Sequence, residues 1–398
     1  MALPLDGIRV IDMTSVVMGP TATRILGDYG ADVIKIEAPG GDAMRRPGPA
    51  RHDDMGPLFL AMNRNKRSVV LDVKKDAARA AVLRMCKTAD VLIHNIRPSS
   101  MARLGLSYAA VAAERPDMVY VSLTGYGERG PYAGKPAYDD LIQGASGIAS
   151  ILGRVTGGAP HYVPTLICDR IVGMAATHAV LAALLHRART GEGQEIEVPM
   201  FETMAEFVLT DHLGGRAFAP AEGPPGYPRL LAANRRPYRT ADGYIAALLY
   251  TEKHWQAFFA AAGRAEQFRA DARLSDAATR MANYDAAYGI VAEIMAMRTT
   301  EAWLALLDEN DIPAMRLNDL DALIDDPHLA AIGFFREVDH PSEGKLRVMD
   351  SPARFSRIEP GMRRVPPRLG EHGEEVLREF GFGADEIASL RADGALAS

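Results

Sequence analysis

The sequence predicts an α/β protein: a parallel sheet covered by helices on both faces, with a second, smaller α/β domain. Three observations carry this. Between residue 7 and about residue 124, short runs rich in β-branched residues alternate with helical stretches, the pattern of βαβ units. The chain has 398 residues, more than one hydrophobic core ordinarily serves. Residues 214–243 carry Gly, Pro and Arg without helical period, which sets a second group of elements apart from the first.

The elements follow in order. Gly7 to Met13 reads as the first strand. Gly19-Pro20 closes the next turn, and Pro20 suits the first turn of a helix running to Tyr29. Ala31–Glu37 and Ser68–Val73 are strands, Lys75–Ala89 a helix, Asp90–His94 a strand, Ser99–Glu114 helical and Met118–Ser122 a strand. Sheets of this kind bind ligands beyond the carboxyl ends of their strands. The first turn lacks Gly-x-Gly-x-x-Gly, which argues against a dinucleotide site but not against the sheet. Residues 125–158 are rich in glycine, either ordinary turns or loops that let backbone approach a ligand closely. Val172–Arg189 is helical and Gln194–Val198 alternates like a strand. Tyr244–Tyr250 opens the second group, with helices at His254–Ala262, Asp285–Met297 and Thr300–Glu309, a strand at Ile312–Leu317, and an amphipathic helical tail from Leu369. The expected organisation is a large domain in 1–213, a linker in 214–243, a small domain in 244–318, a linker in 319–344, and a C-terminal part in 345–398 that completes the large domain.

Composition narrows the function. Hydrophobic residues at 48% and charged residues at 24% describe a soluble globular protein. A net charge of -6 without a long basic run argues against nucleic acid as a partner. The only cysteines, Cys86 and Cys168, make no disulfide framework, and no Cys/His spacing suggests a metal site. The opening residues lack a basic and apolar leader, and the longest apolar helix expected, Val172–Leu185, is too short for a bilayer. A cytoplasmic protein without a membrane partner is therefore expected.

One stretch carries chemistry. In Pro164 to Met174, Asp169 stands among Leu166, Ile167, Cys168, Ile171 and Val172. A carboxylate there loses hydration and must find donors, or its pKa rises. A small-residue helix follows, whose free N–H groups can hold an anion. A carboxylate so placed can attack an activated acyl group; the same residue also suits an ordinary helix cap. Cys168, with no flanking His or Lys to activate it, reads as a buried thiol. Asp139 and Asp140 read as a capped turn rather than paired acids.

Several separated stretches match one pattern in order: Leu5 to Thr14, Gly19-Pro20, Leu26 to Glu37, Asn63-Arg-Asn-Lys-Arg-Ser68, Asp90 to Pro98, Arg189 to Gln194 and Leu369-Gly-Glu-His372. On these motifs the chain resembles the family III CoA-transferases, the group that includes formyl-CoA:oxalate and carnitine CoA-transferases and the α-methylacyl-CoA racemases. The resemblance implies a Rossmann-like large domain, an interlocked homodimer, an acyl-CoA and a carboxylic acid as substrates, and no tightly bound cofactor or metal. It places the nucleophile at Asp169, in Asp169-Arg-Ile-Val-Gly173. It places CoA contacts at Leu71, Lys74, Asn95, Ile96, Arg103, Lys135 and Met200. Lysine and arginine suit the phosphates of CoA.

The chain departs from the oxalate-specific pattern at Val17, where those enzymes have glutamine, at Ala38, where they have arginine, and in Leu230–Tyr238, where they have four glycines. These departures disfavour oxalate and formate. Arg235 and Arg236 read either as holders of a remote carboxylate, which suits a dicarboxylate acceptor, or as exposed linker cations. The racemase reading fits less well: Tyr138 stands where racemases have histidine, and a phenol with a pKa of about 10 is a poor base at neutral pH.

Overall fold

The computed structural model describes residues 2–397, in two compact units. The larger comprises 1–146, 163–206 and 328–398, the smaller 147–162 and 207–327.

Seven strands build the sheet of the larger unit: β1 (Arg9–Met13), β2 (Asp32–Glu37), β3 (Lys66–Leu71), β4 (Val91–His94), β5 (Val119–Thr124), β6 (Gln194–Pro199) and, at the tail, Leu396–Ala397. The first six run parallel in the order β3-β2-β1-β4-β5-β6, and the tail strand adds antiparallel to β3. β1 through β5 are almost continuous runs of buried residues, as expected of strands covered on both faces. The register Ile11↔Ile34 and Ile11↔Leu92 puts the centre of β1 at the centre of the core. Strand order reverses between β1 and β4, so the loops after these two strands diverge and leave a crevice.

The C-terminal tail closes one face. Val376, Leu377, Phe380, Ile387 and Leu390 pack into the same core cluster as Ile11, Ile34 and Leu92. Arg67 on β3 binds Asp32 at 2.6 Å and Glu379 at 2.8 Å, which ties the tail helix to the sheet.

The motif Asn63–Ser68 proves structural residue by residue. Arg64 makes a two-point bond to Asp28 at 2.8 and 2.7 Å, and Asn65 joins the same carboxylate at 2.8 Å. Lys66 reaches Asp12 at 3.0 Å and Asn63 at 2.9 Å, and Ser68 donates to Glu37 at 2.6 Å. These groups are buried, and a buried charge persists only when paired.

The helix predicted from Val172 runs from Ile167 to Thr190, 24 residues. It is long and apolar enough to cross a bilayer by length and composition, so the expectation that it is too short is corrected. The reason is at its start, where Ile167–Ile171 continues the helix instead of leading into it. Half of its apolar stretch is buried in the protein. Gly173 makes that packing possible: a Cβ there would lie 2.5 Å from the Met18 carbonyl oxygen and 2.7 Å from Thr21 Cβ, both on the helix Met18–Asp28.

Residues 319–344, expected to be a connection, hold the short helices Leu320–Ile324 and Pro327–Ala331 and the strand β10 (Phe335–His340), which pairs antiparallel with β11 (Gly344–Met349). The turn is made by a side chain: His340 Nδ1 accepts the N–H groups of Ser342 and Glu343, both at 3.2 Å. No Asn-Gly or Gly-Gly marks such a turn in sequence.

The smaller unit has its own core around Trp255, Phe258, Val291 and Trp303. Its sheet is three antiparallel strands, β7 (Tyr238–Arg239), β8 (Tyr244–Ala247) and β9 (Ala314–Arg316), in that order. The Trp303 indole N–H donates to the Met295 carbonyl at 2.7 Å, satisfying its one polar atom in the core.

Candidate active site

Asp169 is the third residue of the helix Ile167–Thr190 and is 8% exposed. Its side chain lines a cavity of about 260 Å³ in the larger unit. The other walls come from the loops beyond the carboxyl ends of four strands: Ser15 and Val16 after β1, Asn95 and Arg97 after β4, Thr124 to Tyr126 at β5, and Met200 after β6. This is the crevice that the reversal of strand order leaves.

Asp139 lies beside the helix that carries Asp169. Its Oδ1 accepts the backbone N–H of Asp169 at 2.9 Å, and its Oδ2 accepts Gln143 Nε2 at 2.7 Å. Among the described residues no donor bonds the Asp169 carboxylate itself, so the expected cradle of N–H groups is not formed. The helix begins two residues before Asp169, and the N–H groups of Ile167 and Asp169 go to the Thr165 carbonyl and to Asp139 instead. Burial, and then the like charge of Asp139, push the Asp169 carboxyl up to about 7 against the opposing pull of Arg170. Burial first, and then the acids Asp139 and Asp169, push the Cys168 thiol up to about 12, leaving it protonated and fully buried at neutral pH.

The β1 loop is clamped from below by a buried charge network. Lys35 Nζ donates to the Thr14 carbonyl at 2.8 Å and to Asp42 at 2.9 Å. Asp42 accepts the Val16 N–H at 3.1 Å, and Asn95 holds Ser15 at both ends, at 3.0 and 2.9 Å. These bonds force Val16 to φ 71°, a region that costs a β-branched residue about 1–3 kcal/mol. Asp12 anchors the network beneath: burial would raise its carboxyl, but Lys66 and Lys35 win and hold it at about 2. Burial pushes Lys66 down to about 8 against the attraction of Asp12.

The structure brings together Asn95, Lys135, Tyr138, Asp169 and Met200 of the residues expected in the site. Lys135 lies 4.1 Å over the Tyr132 ring. The others lie outside this cavity. Val17 is fully buried between its cavity-lining neighbours Val16 and Met18. Leu71 is 1% exposed and sits in the sheet core opposite Leu396, its carbonyl accepting the Val73 N–H at 3.0 Å. Lys74 and Arg103 are exposed, Arg103 Nη2 bonding Ser100 Oγ at 2.8 Å, and Ile96 packs against the core. Arg235 and Arg236 line a cavity within the smaller unit.

Sequence reasoning passed over Arg97, Val16 and Asp139. Arg97 stood inside a quoted motif, directly after a strand. Asp139 followed Tyr138 and was set aside as a cap; it does cap a helix, but the helix is the one that carries Asp169.

Fold and site together define a doubly wound α/β protein with a ligand cavity at its switch point and a partly dehydrated carboxylate in the cavity wall. The chain belongs to CoA-transferase family III, whose family model matches residues 5–373. It is similar to the probable fatty acyl-CoA transferase Rv3272 of Mycobacterium tuberculosis, at 33% identity over 94% of this chain and 98% of that protein. A crystal structure of Rv3272 superposes with a TM-score of 0.81, covering 94% of this chain and 99% of that one. The succinyl-CoA:mesaconate CoA-transferase of Haloarcula marismortui is 31% identical over 95% of this chain and 96% of that protein. The succinate–glutarate CoA-transferase of Agrobacterium fabrum is 31% identical over the same shares.

Proposed function

We propose that the protein transfers CoA from an acyl-CoA to a carboxylic acid, with a dicarboxylic acid as acceptor, through covalent intermediates on Asp169. The observation that carries this is Asp169 itself: buried, free of donors and raised to about 7, in a cavity that also presents Arg97 and Lys135. A carboxylate freed of solvating donors is a stronger nucleophile than one in water.

The steps balance without a further reactant. A carboxylate oxygen of Asp169 attacks the thioester carbonyl of the donor and expels the CoA thiolate, leaving a mixed anhydride. The thiolate attacks the aspartyl carbonyl, releasing the donor acid as its carboxylate and forming an aspartyl-CoA thioester. The acceptor carboxylate attacks that thioester and expels the thiolate again. The thiolate then attacks the acceptor acyl carbonyl, which yields the new acyl-CoA and restores Asp169. Asn95, Lys135 and Met200 line the same cavity as Asp169, which supports reading them as CoA contacts, Met200 near the thioester and Asn95 with Ile96 and Arg103 along the nucleotide and pantetheine; Leu71 and Lys74 are read as contacts near the adenine. The dicarboxylate reading draws support from the relatives named for mesaconate and glutarate.

The protein is proposed to work as an interlocked homodimer, the two stretches 214–243 and 319–344 letting one chain pass through the other. Leu320, Leu323 and Ile324, at helical spacing, are 79%, 48% and 44% exposed, an apolar face that a second copy would cover.

The test is intact-protein mass spectrometry after mixing with succinyl-CoA, with Asp169→Asn alongside. An adduct of CoA mass, removed by hydroxylamine and missing in the variant, is expected. No adduct across a panel of acyl-CoAs, together with α-proton exchange in D₂O, would replace transfer with racemisation.

A further inference from the structure

The loop 125–137 leaves β5 and forms one side of the Asp169 cavity, with Tyr126, Glu128 and Lys135 among the residues it contributes. It contains no helix or strand. Its own backbone closes tight turns: Gly130 N–H to the Gly127 carbonyl at 3.2 Å, Ala133 N–H to the Gly130 carbonyl at 3.1 Å and Lys135 N–H to the Tyr132 carbonyl at 3.0 Å. Such turns fix near neighbours to one another and leave the position of the loop against the rest of the fold open.

That position is set by β6 and the helix after it. Two carboxylates grip consecutive amides at the start of the loop. Glu202, in the first turn of the helix Met200–His212, accepts the Gly127 N–H at 2.9 Å. Glu197 of β6 accepts the Glu128 N–H at 2.8 Å and the Thr124 hydroxyl at 3.3 Å. Hydrogen bonds to a carboxylate are about twice as strong as neutral ones. The Phe201 N–H donates to the Gly125 carbonyl at 3.0 Å, and the Phe201 ring packs against Tyr126 and Tyr132, centroids 5.6 and 6.3 Å apart. Tyr132 in turn carries the Lys135 ammonium over its ring. The grip is close at Gly127, where a Cβ would stand 2.8 Å from Glu202 Oε1. Neither Glu197 nor Glu202 lines the cavity.

We propose that Glu202, with Glu197 beside it, is a positioning residue for acyl-CoA: it touches no substrate and holds the loop 125–137 in the form in which Lys135 lines the cavity. The identity of the ligand rests on the CoA-transfer reading. A loop without helix or strand loses conformational freedom when a ligand orders it. Anchors at its root supply that order before binding, so their loss shows as weaker binding rather than slower chemistry.

The experiment is calorimetric titration of the full-length protein with CoA itself, which binds without an acyl group to transfer. Hydrogen exchange of the amides in 125–137 and steady-state rates with succinyl-CoA run alongside. Glu202→Ala is expected to weaken CoA about tenfold, to raise KM for succinyl-CoA by a similar factor with kcat within about twofold, and to speed exchange of the loop amides about tenfold. Glu202→Gln keeps an oxygen for the Gly127 N–H and should recover most of the affinity. Gly127→Ala sets a methyl against the Glu202 carboxylate, so it should weaken CoA in the otherwise wild-type chain and add little in Glu202→Ala. Wild-type Kd and wild-type loop exchange in Glu202→Ala would overturn the proposal. So would a fall in binding stoichiometry and kcat at unchanged Kd and KM, which is loss of folded protein alone, or a Gly127→Ala effect that adds in full to that of Glu202→Ala. Loop exchange and CoA affinity that move as expected, with no CoA adduct on the wild type, would leave the positioning role standing and refute transfer; an adduct with unaltered CoA affinity in the variants would do the reverse.

Discussion

At neutral pH a carboxyl of pKa about 7 is about half ionised, whereas one at the ordinary 3.8 would be fully so. The ionised half of Asp169 is more basic, and so more nucleophilic, than an ordinary carboxylate. For attack by the anion, kcat/KM towards succinyl-CoA should climb about tenfold per pH unit below pH 6 and level off above about pH 8. Asp139→Asn removes the neighbouring charge while keeping an oxygen for the Asp169 N–H, so the midpoint of that profile should fall by about one pH unit. An unmoved midpoint would show that burial alone sets it. The same shift makes a stability statement. The folded chain holds the Asp169 proton more tightly than the unfolded chain, so this group's contribution falls as pH rises from about 4 to about 7. Asp169→Asn, which cannot ionise, should therefore raise the unfolding midpoint at pH 8 and change it little near pH 4. The residue proposed to do the chemistry is one the fold would be more stable without.

Among the elements, the helix Ile167–Thr190 and the helix Met18–Asp28 decide where Asp169 stands. They pack tightly at Gly173, one turn after Asp169. In an exposed helix, replacing glycine by alanine gains about 1 kcal/mol. Here the added methyl would meet a carbonyl oxygen at 2.5 Å, which two rigid helices cannot yield to cheaply. Gly173→Ala should therefore destabilise by about 1–3 kcal/mol and lower kcat, because the helix must move away from the cavity. Denaturant midpoints and steady-state rates check both; a stabilised, fully active variant would mean that the contact gives way. The buried network from Asp12 to Asp42 works on the same scale. It turns the ends of β1, β2 and β3 into a clamp that holds the loop at Val16 in a backbone conformation valine alone would avoid.

For the whole molecule, the prediction is assembly. If two chains interlock, they cannot part without partial unfolding. Light scattering should give twice the chain mass even at nanomolar concentration, and differently tagged dimers should not exchange subunits on mixing. A monomer that appears on dilution would rule out interlocking and leave at most an ordinary interface over Leu320, Leu323 and Ile324.

The alternation of β-branched runs with helices was enough to predict the parallel sheet, because strands buried on both faces must be apolar throughout and so announce themselves. The order of the motifs was enough for the family; Asp169 stood out as a carboxylate among apolar neighbours, but by itself it read as an ordinary helix cap, and only the resemblance gave it a chemical role. The hairpin β10–β11 was not legible, since its strands are mostly exposed and a histidine side chain builds its turn. The role of Asp139 was not legible either: an aspartate before a helix reads as that helix's own cap, and only the packing shows it reaching Asp169, 30 residues on. The motif Asn63–Ser68 carried the resemblance without revealing its work, because its partners, from Asp12 to Glu37, are far along the chain. Local pattern determines which segments become strand or helix and which residues are chemically unusual. The pKa of Asp169 and the clamp on Val16 depend on distances between remote segments, and those exist only once the chain has folded.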